Sequence, residues 1–122
     1  MTRSAVRWRN DLERDGLLFA LSLCRKAGKL AVGHDAVIEQ IERGAAAAAL
    51  VASDASDRTR ADIKRACERH GVTCCELPRT MAQLEQAIGR RTAAAAVTDR
   101  ELAALIRKNI TTNVEGLYAD QI

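Results

Sequence analysis

The sequence predicts a small α/β domain, a three-layer α/β/α sandwich around a small mixed sheet of three to four strands. Two patterns indicate this fold class: helical patterns alternate with short apolar runs, and glycine and turn residues bound these runs. The chain has 122 residues, which fits one domain. Only 2% of them are aromatic, so Ala, Val, Leu and Ile must fill the core. Such small side chains favour close packing of helices on a sheet over large ligand cavities.

Two helices open the predicted domain, after a basic arm at residues 1–14. The first, "GLLFALSLCRKAG", begins after the cap Asp15 and ends at Gly28, with Leu and Cys side chains recurring at helical spacing. The link "KLAVG" is extended and can hold a short strand at "LAV". The second helix, "DAVIEQIER", opens at His34 or Asp35 and stops at the next glycine.

The alanine-rich run "AAAAALVAS", residues 45–53, is predicted to be a strand. Alanine has the highest intrinsic helix propensity, so composition alone would favour a helix. However, Gly44 has just ended a helix, "LVA" closes the run with strand-like residues, and "SDASD" follows as turn chemistry. A short apolar segment between two helices is typical of a strand buried on both faces.

The alternation continues with one more helix and strand. The helix "DRTRADIKRACER" starts at a cap supplied by Ser56 or Asp57 and ends before Gly71. The cations along it alternate with acids and are predicted to form a solvated face: Arg58, Arg60, Lys64, Arg65 and Arg69. The strand "VTCCEL" follows and is broken by Pro78.

Two capping boxes mark the last two helices. Thr80 and Gln83 open "MAQLEQAI", and Thr98 and Glu101 open "RELAALIRKN" after the buried strand "TAAAAV". The remaining segment, "ITTNVEGLYADQI", has little pattern and is treated as a tail at residues 110–122. The domain proper is therefore predicted to span residues 15–109.

The four cysteines are predicted to be reduced, buried and structural rather than metal ligands. Cys24 and Cys67 fall in the apolar stripes of predicted helices, while Cys74 and Cys75 point to opposite faces of a strand. The sequence contains no C-x-x-C pair and only two histidines, so no metal site is expected.

No enzyme motif stands out. The chain contains no G-x-G-x-x-G, Walker-type loop or H-E-x-x-H motif, and we expect no cofactor. Pairing Cys24 with His34, or Cys67 with His70, could make a nucleophile and base, but Cys67 lies on a core face and His70 at a helix end. We therefore predict a non-catalytic protein. Without a signal peptide or a long apolar span, we also expect it to be cytoplasmic and not membrane-bound.

The cations are placed unevenly along the chain, whose net charge of +3 favours anionic partners. In an α/β sandwich, loops and helix starts gather at one end of the sheet, so two basic loops could form one concave basic edge. It is an equally good interpretation that these cations are simply solvated in their loops and bind no ligand. The residues concerned are Arg25, Lys26 and Lys29 at the end of the first helix, Gly33, His34 and Asp35 at the start of the second, and Arg90 and Arg91 after Gly89.

The stretch "LCRKAGKLAVGHDAVIEQIERGAAAAALVASDAS" resembles the bacterial YlxQ-type branch of the ribosomal protein L7Ae family of kink-turn RNA-binding proteins. The resemblance rests on the "RKAGKL…G" elbow, the "IERG" helix end, an apolar strand leading to an acidic "A-x-D-A-S" turn, and the later "T-x-x-x-L-x-x-A-I-G". It covers roughly residues 17 to 108, nearly all of the predicted domain, and implies an α/β/α sandwich.

The resemblance also implies a site. Gly33 and the following helix start would enter the widened groove of a sharply bent RNA and meet its tandem G·A pairs. The loop from Gly89 to Ala93 would cover a flipped-out nucleotide. Structured RNA, of the kink-turn type or in the ribosome, would be the partner, and we expect a monomer. The predicted RNA-binding residues are Arg25, Lys26, Lys29, Gly33, His34, Asp35, Gly89, Arg90, Arg91, Thr92 and Ala93.

Three positions depart from the family pattern. Asp35 and Ala36 stand where archaeal members carry Asn-Glu, and Glu39 stands where a lysine is usual. The alternative function is therefore a protein-interaction module on the same fold, with weak or lost RNA binding, that associates through its alanine-rich faces or its tail. A Glu39 facing RNA would favour this alternative, whereas a Glu39 paired with Arg43 would favour neither.

Overall fold

The computed structural model describes the backbone of residues 15–121 and the side chains of residues 15–110. The predicted basic arm at residues 1–14 lies outside this range. The helices are α1 (Gly16–Lys26), α2 (His34–Glu42), α3 (Asp57–His70), α4 (Met81–Ile88) and α5 (Arg100–Gln121). The strands are β1 (Leu30–Val32), β2 (Ala48–Val51), β3 (Thr73–Glu76) and β4 (Ala94–Val97). Within the described chain, no helix combines the length and apolar character needed to cross a membrane.

The four strands form one mixed sheet in the order β1-β4-β2-β3, which confirms the predicted fold class. β2 and β3 are parallel, whereas β4 runs antiparallel to both of its neighbours, β1 and β2. Helix α1 packs on α4 and α5, and α2 packs on α3. Every residue of β2 and β4 is buried, because the two helical layers cover both faces of the central strands.

The alanine-rich run forms a strand, as predicted, but only from Ala48 onward. Ala49 lies opposite Ala96 of β4, and both are fully buried. Ala45 instead completes the end of α2, where its N–H donates to the Gln40 carbonyl at 3.0 Å. Burial between two helical layers overrides the helix propensity of alanine here. The sheet satisfies the backbone hydrogen-bonding groups of the strand, and the small side chains let both helical layers pack close to it.

The sheet has two ends, named here after the residues that flank its edge strand β1. At the Gly33 end, the Gly33 N–H donates to the Ala94 carbonyl at 3.1 Å. At the Lys29 end, the Thr98 N–H donates to the Lys29 carbonyl at 2.9 Å. Strands β1, β2 and β3 all run toward the Gly33 end and β4 starts there. That end therefore gathers the loops that follow three strands and precede the fourth.

Side chains cap the starts of three helices at the Gly33 end. Asp15 accepts from the Leu18 N–H at 3.0 Å in α1, and Ser56 likewise caps α3. The predicted capping box of α4 is confirmed: the Thr80 N–H donates to Gln83 Oε1 at 2.8 Å, and the Gln83 N–H donates to Thr80 Oγ1 at 3.2 Å.

The predicted capping box of the last helix is wrong by one residue. Asp99 is the cap, and its Oδ1 accepts from the Leu102 N–H at 3.0 Å. The N–H of Thr98 is bound to Lys29 across the sheet, so Thr98 still belongs to the strand pairing rather than to the helix start. Helix α5 then runs to Gln121, past Asn109, where the sequence pattern predicts its end.

Candidate nucleic-acid interface

Gly33 starts α2 in a backbone conformation that favours glycine. Its φ of 108° and ψ of 154° lie in a region that a residue with a Cβ rarely adopts. Among the residues that the structure describes, no side chain caps α2, in contrast to α1, α3 and α4, so the first N–H groups of α2 are left for another acceptor. Because a helix start also carries partial positive charge, this position suits an anionic or carbonyl oxygen.

The loop between α4 and β4 lies directly against this helix start. A Cβ placed on Gly33 would lie 3.7 Å from Arg90 Nη2, so the guanidinium group sits beside the glycine. The hydrogen bond from Gly33 to Ala94 fixes the two segments to each other. The structure therefore brings together two of the predicted groups, residues 33–35 and 89–93, which are far apart in sequence.

The loop itself exposes only part of its predicted contact surface. Gly89 ends α4 with a φ of 83°, and Arg90 and Arg91 are exposed. Arg91 is close to an acid of α4, with its Nη1 4.0 Å from Glu85 Oε1. The loop thus presents a glycine backbone and two arginines, of which one lies near a carboxylate.

Thr92 belongs to the loop's interior rather than to its surface. Its side chain is 6% exposed, and its hydroxyl donates to the Ala94 carbonyl at 2.7 Å. Ala93 is half-buried, and its carbonyl accepts from the Ala52 N–H at 2.9 Å. Of the predicted RNA-binding residues, these two shape the loop, and the Thr92 side chain does not face a ligand.

His34 and Asp35 differ in what they offer to a ligand. The His34 ring lies between two carboxylates: its Nδ1 is 3.2 Å from Asp35 Oδ1, and its Nε2 is 3.2 Å from Asp62 Oδ2 of α3. The ring therefore links α2 to α3. Asp35 is otherwise fully exposed, so its carboxylate can accept hydrogen bonds from outside the protein.

Arg25, Lys26 and Lys29 do not join this surface. All three are exposed, but they lie at the Lys29 end, on the other side of β1. At roughly 3.3 Å per residue, the extended backbone from Lys29 to Gly33 separates the two ends by about 13 Å. The expectation of a single basic edge is corrected here: the "LAV" link is a paired strand, so residues close in sequence lie at opposite ends of the sheet.

Arg60 organises the loop that follows β2, a role the sequence reading missed. Only 29% of its side chain is exposed, so it is not part of a solvated face as predicted. Its Nη2 donates to the Ser53 carbonyl at 3.2 Å, its Nη1 to the Ala55 carbonyl at 3.3 Å, and its Nε to Glu76 Oε1 at 2.5 Å. A signal was available: the "SDASD" turn leaves carbonyls without partners, and an arginine follows one turn into the helix.

Glu39 lies one turn into α2 and is exposed. Its Oε1 is 3.6 Å from Arg43 Nη1, an ion pair within the helix. This is the arrangement that favours neither RNA binding nor its loss. The described residues also contain no group of three or more His, Cys, Asp or Glu side chains that could hold a metal ion.

Two solved structures share this fold. A protein with unknown function from Bacillus halodurans matches with a TM-score of 0.69 and 26% identity, covering 76% of this chain and 98% of its own. The 15.5kD RNA binding protein of Giardia lamblia matches with a TM-score of 0.65 and 20% identity, covering 84% and 87% of the two chains. The second likeness is one of fold alone.

Sequence comparisons agree with this fold. The RNA-binding protein YlxQ of Enterococcus faecium is 32% identical over 81 residues, which is 66% of this chain and 78% of the relative. Residues 16–106 match the model of the ribosomal protein L7Ae/L30e/S12e/Gadd45 family, and this range contains the start of α2, the loop beside it and all four strands. The chain therefore belongs to the ribosomal protein L7Ae/L30e/S12e/Gadd45 family.

Proposed function

We propose that this protein is a non-catalytic RNA-binding protein that holds a kink-turn at the Gly33 end of its sheet. One observation carries the proposal: the uncapped start of α2 lies beside the Arg90 guanidinium group. Backbone donors and a cation are thus presented together, on a glycine that allows close approach. Family membership and the name of the Enterococcus relative support RNA as the ligand class.

Each group at this end has a role suited to bent RNA. The α2 start enters the widened groove, where the exposed Asp35 carboxylate accepts from guanine amino groups at the tandem G·A pairs. Arg90 contacts a phosphate near the bend. The Gly89 backbone lies against the splayed nucleotide, in place of the aromatic stacking that this chain, with 2% aromatic residues, can hardly supply.

The target is a structured RNA in the cytoplasm, and ribosomal RNA is a candidate. A monomer is sufficient for this mode of binding, because both contributing segments come from one chain. The alternative function is association through alanine-rich faces or the tail, and its first route loses support because β2 and β4 are buried inside the sheet.

A gel-shift titration with a kink-turn RNA tests the proposal. The protein should bind this RNA more tightly than the same RNA with its G·A pairs replaced by Watson–Crick pairs. Arg90→Ala should weaken binding by about tenfold, equivalent to roughly 1.4 kcal/mol for one phosphate contact. Arg69→Ala is the matched control. This exposed arginine lies in the last turn of α3, and α3 starts at the Gly33 end, so Arg69 lies away from the proposed binding surface.

Two outcomes would contradict the proposal. Equal affinity for a plain duplex of the same length would reduce binding to general electrostatics. If Arg90→Ala and Arg69→Ala had the same small effect, the Gly33 end would not be the binding surface.

A further inference from the structure

The three cations at the Lys29 end are held together by the way α1 ends. Gly28 adopts a φ of 71° and its N–H donates to the Arg25 carbonyl at 3.1 Å, while the Lys29 N–H donates to the Cys24 carbonyl at 2.9 Å. These two bonds form a Schellman motif, which folds the backbone of Lys29 onto the last turn of the helix. Arg25, Lys26 and Lys29 therefore share one short, fixed segment.

This cationic turn, residues 25–29, has no acidic partner among the side chains that the structure describes. Asp99, which the strand pairing brings to this end, caps α5. Cations in a last helical turn interact favourably with the helix dipole, which accounts for Arg25 and Lys26. Lys29 lies beyond the helix end, so the dipole does not explain it.

A groove connects the cationic turn with the edge strand. It has a volume of about 380 Å³ and opens between β1 and α2, with a polar lining that includes a further arginine. Its lining residues are Gly28, Leu30, Ala31, Gln40, Arg43 and Thr98. Because β1 is an edge strand with β4 on one side only, no other strand of the described chain pairs with this flank of the sheet between the Lys29 end and the Gly33 end.

We infer that the cationic turn is a second phosphate-binding surface, which holds the backbone of one stem of the RNA bound at the Gly33 end. The inference rests on the proposed function, since the RNA must first be positioned there. The two ends are about 13 Å apart along β1. One strand of an A-form RNA duplex rises by that distance in about five nucleotides, so a stem lying along β1 can reach both surfaces.

The test compares a minimal kink-turn RNA, whose stems end before they could reach the cationic turn about 13 Å away, with two RNAs in which one stem or the other is lengthened by one helical turn. Affinities are measured over a range of salt concentrations. For one lengthened RNA, the slope of log K against log salt should be steeper than for the minimal RNA by roughly two, as expected for two or three further phosphate contacts. Lys26→Ala/Lys29→Ala should remove this extra slope and leave binding of the minimal RNA unchanged.

The control variant is Lys64→Ala/Arg69→Ala, which removes the same charge from α3. That helix packs on β2 and β3, on the side of the sheet away from β1. This control variant should retain the extra slope with the lengthened RNA. Lys26→Gln/Lys29→Gln repeats the test with polar side chains, and far-ultraviolet circular dichroism confirms that each variant is folded.

The outcomes separate this inference from the proposed function. If the wild-type protein binds none of the RNAs specifically, the proposed function fails. If it binds all three with equal slopes, or if the lysine variants lose the minimal and lengthened RNAs to the same extent while folded, the cationic turn is not a second surface. In the first of those cases binding at the Gly33 end still stands, and in the second the Arg90→Ala titration decides whether it does.

Discussion

Asp15 has two partners at the start of α1, and removing it tests how much the contact with each contributes to stability. Its Oδ1 accepts from the Leu18 N–H at 3.0 Å and caps the helix. The Arg79 side chain, which follows β3, donates to both carboxylate oxygens, with Nε to Oδ2 at 2.6 Å and Nη2 to Oδ1 at 3.0 Å. The two side chains are 20% and 18% exposed, so water screens the pair only in part.

The expected loss follows from these contacts. Removing a helix cap costs about 1 kcal/mol. Losing charge-assisted hydrogen bonds costs roughly 1.5 to 3 kcal/mol, and the residual exposure places this pair near the lower limit. Asp15→Ala should therefore lower the free energy of unfolding by about 2 to 3 kcal/mol. Asp15→Asn keeps a capping oxygen and should cost about half as much.

The stabilisation should also depend on pH. Burial raises the pKa of Asp15, but the hydrogen bonds from Arg79 and Leu18 more than offset it, so the pKa lies below its ordinary value of 3.8. A carboxyl group with a lowered pKa in the folded state stabilises the protein fully above its unfolded pKa. The contribution is then lost as the pH falls below about 3.8 and through the folded pKa.

Urea denaturation followed by far-ultraviolet circular dichroism measures these losses at neutral and acidic pH. A double-mutant cycle of Asp15→Asn with Arg79→Met isolates the ion pair, and we expect a coupling of about 1 to 2 kcal/mol at neutral pH. Equal losses for Asp15→Ala and Asp15→Asn would refute the capping contribution. A coupling near zero, or one unchanged at low pH, would refute the ion-pair contribution.

Three further predictions concern other parts of the fold. Arg60→Met should lower the free energy of unfolding by about 1 to 3 kcal/mol and speed amide exchange in the loop after β2, because the loop carbonyls lose their hydrogen-bond donor. Arg58→Met, on the exposed face of α3, should have neither effect. Burial raises the pKa of Cys24 to about 11 and that of Cys67 to about 12. At pH 8, thiol-specific reagents should therefore label these two thiols about 100-fold more slowly in the folded protein than in urea. Equal labelling rates would contradict their burial. Gly33→Ala should cost about 1 to 3 kcal/mol of backbone strain, measured by thermal unfolding, and a stability equal to wild type would mean that the α2 start relaxes to another conformation.

The elements of this fold could be predicted because their signals are local. The capping box of Thr80 and Gln83 spans one helical turn and depends on nothing outside it. The strand in the alanine-rich run was predictable from its flanks, since Gly44 ends one helix and "SDASD" prepares the next. Thr98 and Asp99 are both possible N-cap residues of α5. The choice between them depends on the pairing of Thr98 with Lys29 across the sheet, which the local sequence does not reveal.

The site was only partly predictable because its arrangement depends on long-range contacts. The sequence identified the segments around Gly33 and Arg90, which the sheet brings together. It did not reveal that Lys29 lies at the opposite end, since that depends on the pairing of β1 with β4. The partner of Asp15 was missed for the same reason: Asp15 is 64 positions from Arg79, and no periodic pattern connects them.

The alanines of β2 and β4 reverse the usual rule for which substitution damages the centre of a protein. In a core of large side chains, truncation leaves a cavity and is the damaging change. Ala49 and Ala96, fully buried and paired across the sheet, have only a methyl group to lose, and helices cover the strands on both faces. Added volume is the damaging change here, because overpacking typically costs about 1 to 3 kcal/mol. Directed evolution of this domain should therefore accept glycine at these positions more readily than valine or leucine, and new binding properties should arise on its rim rather than in its interior.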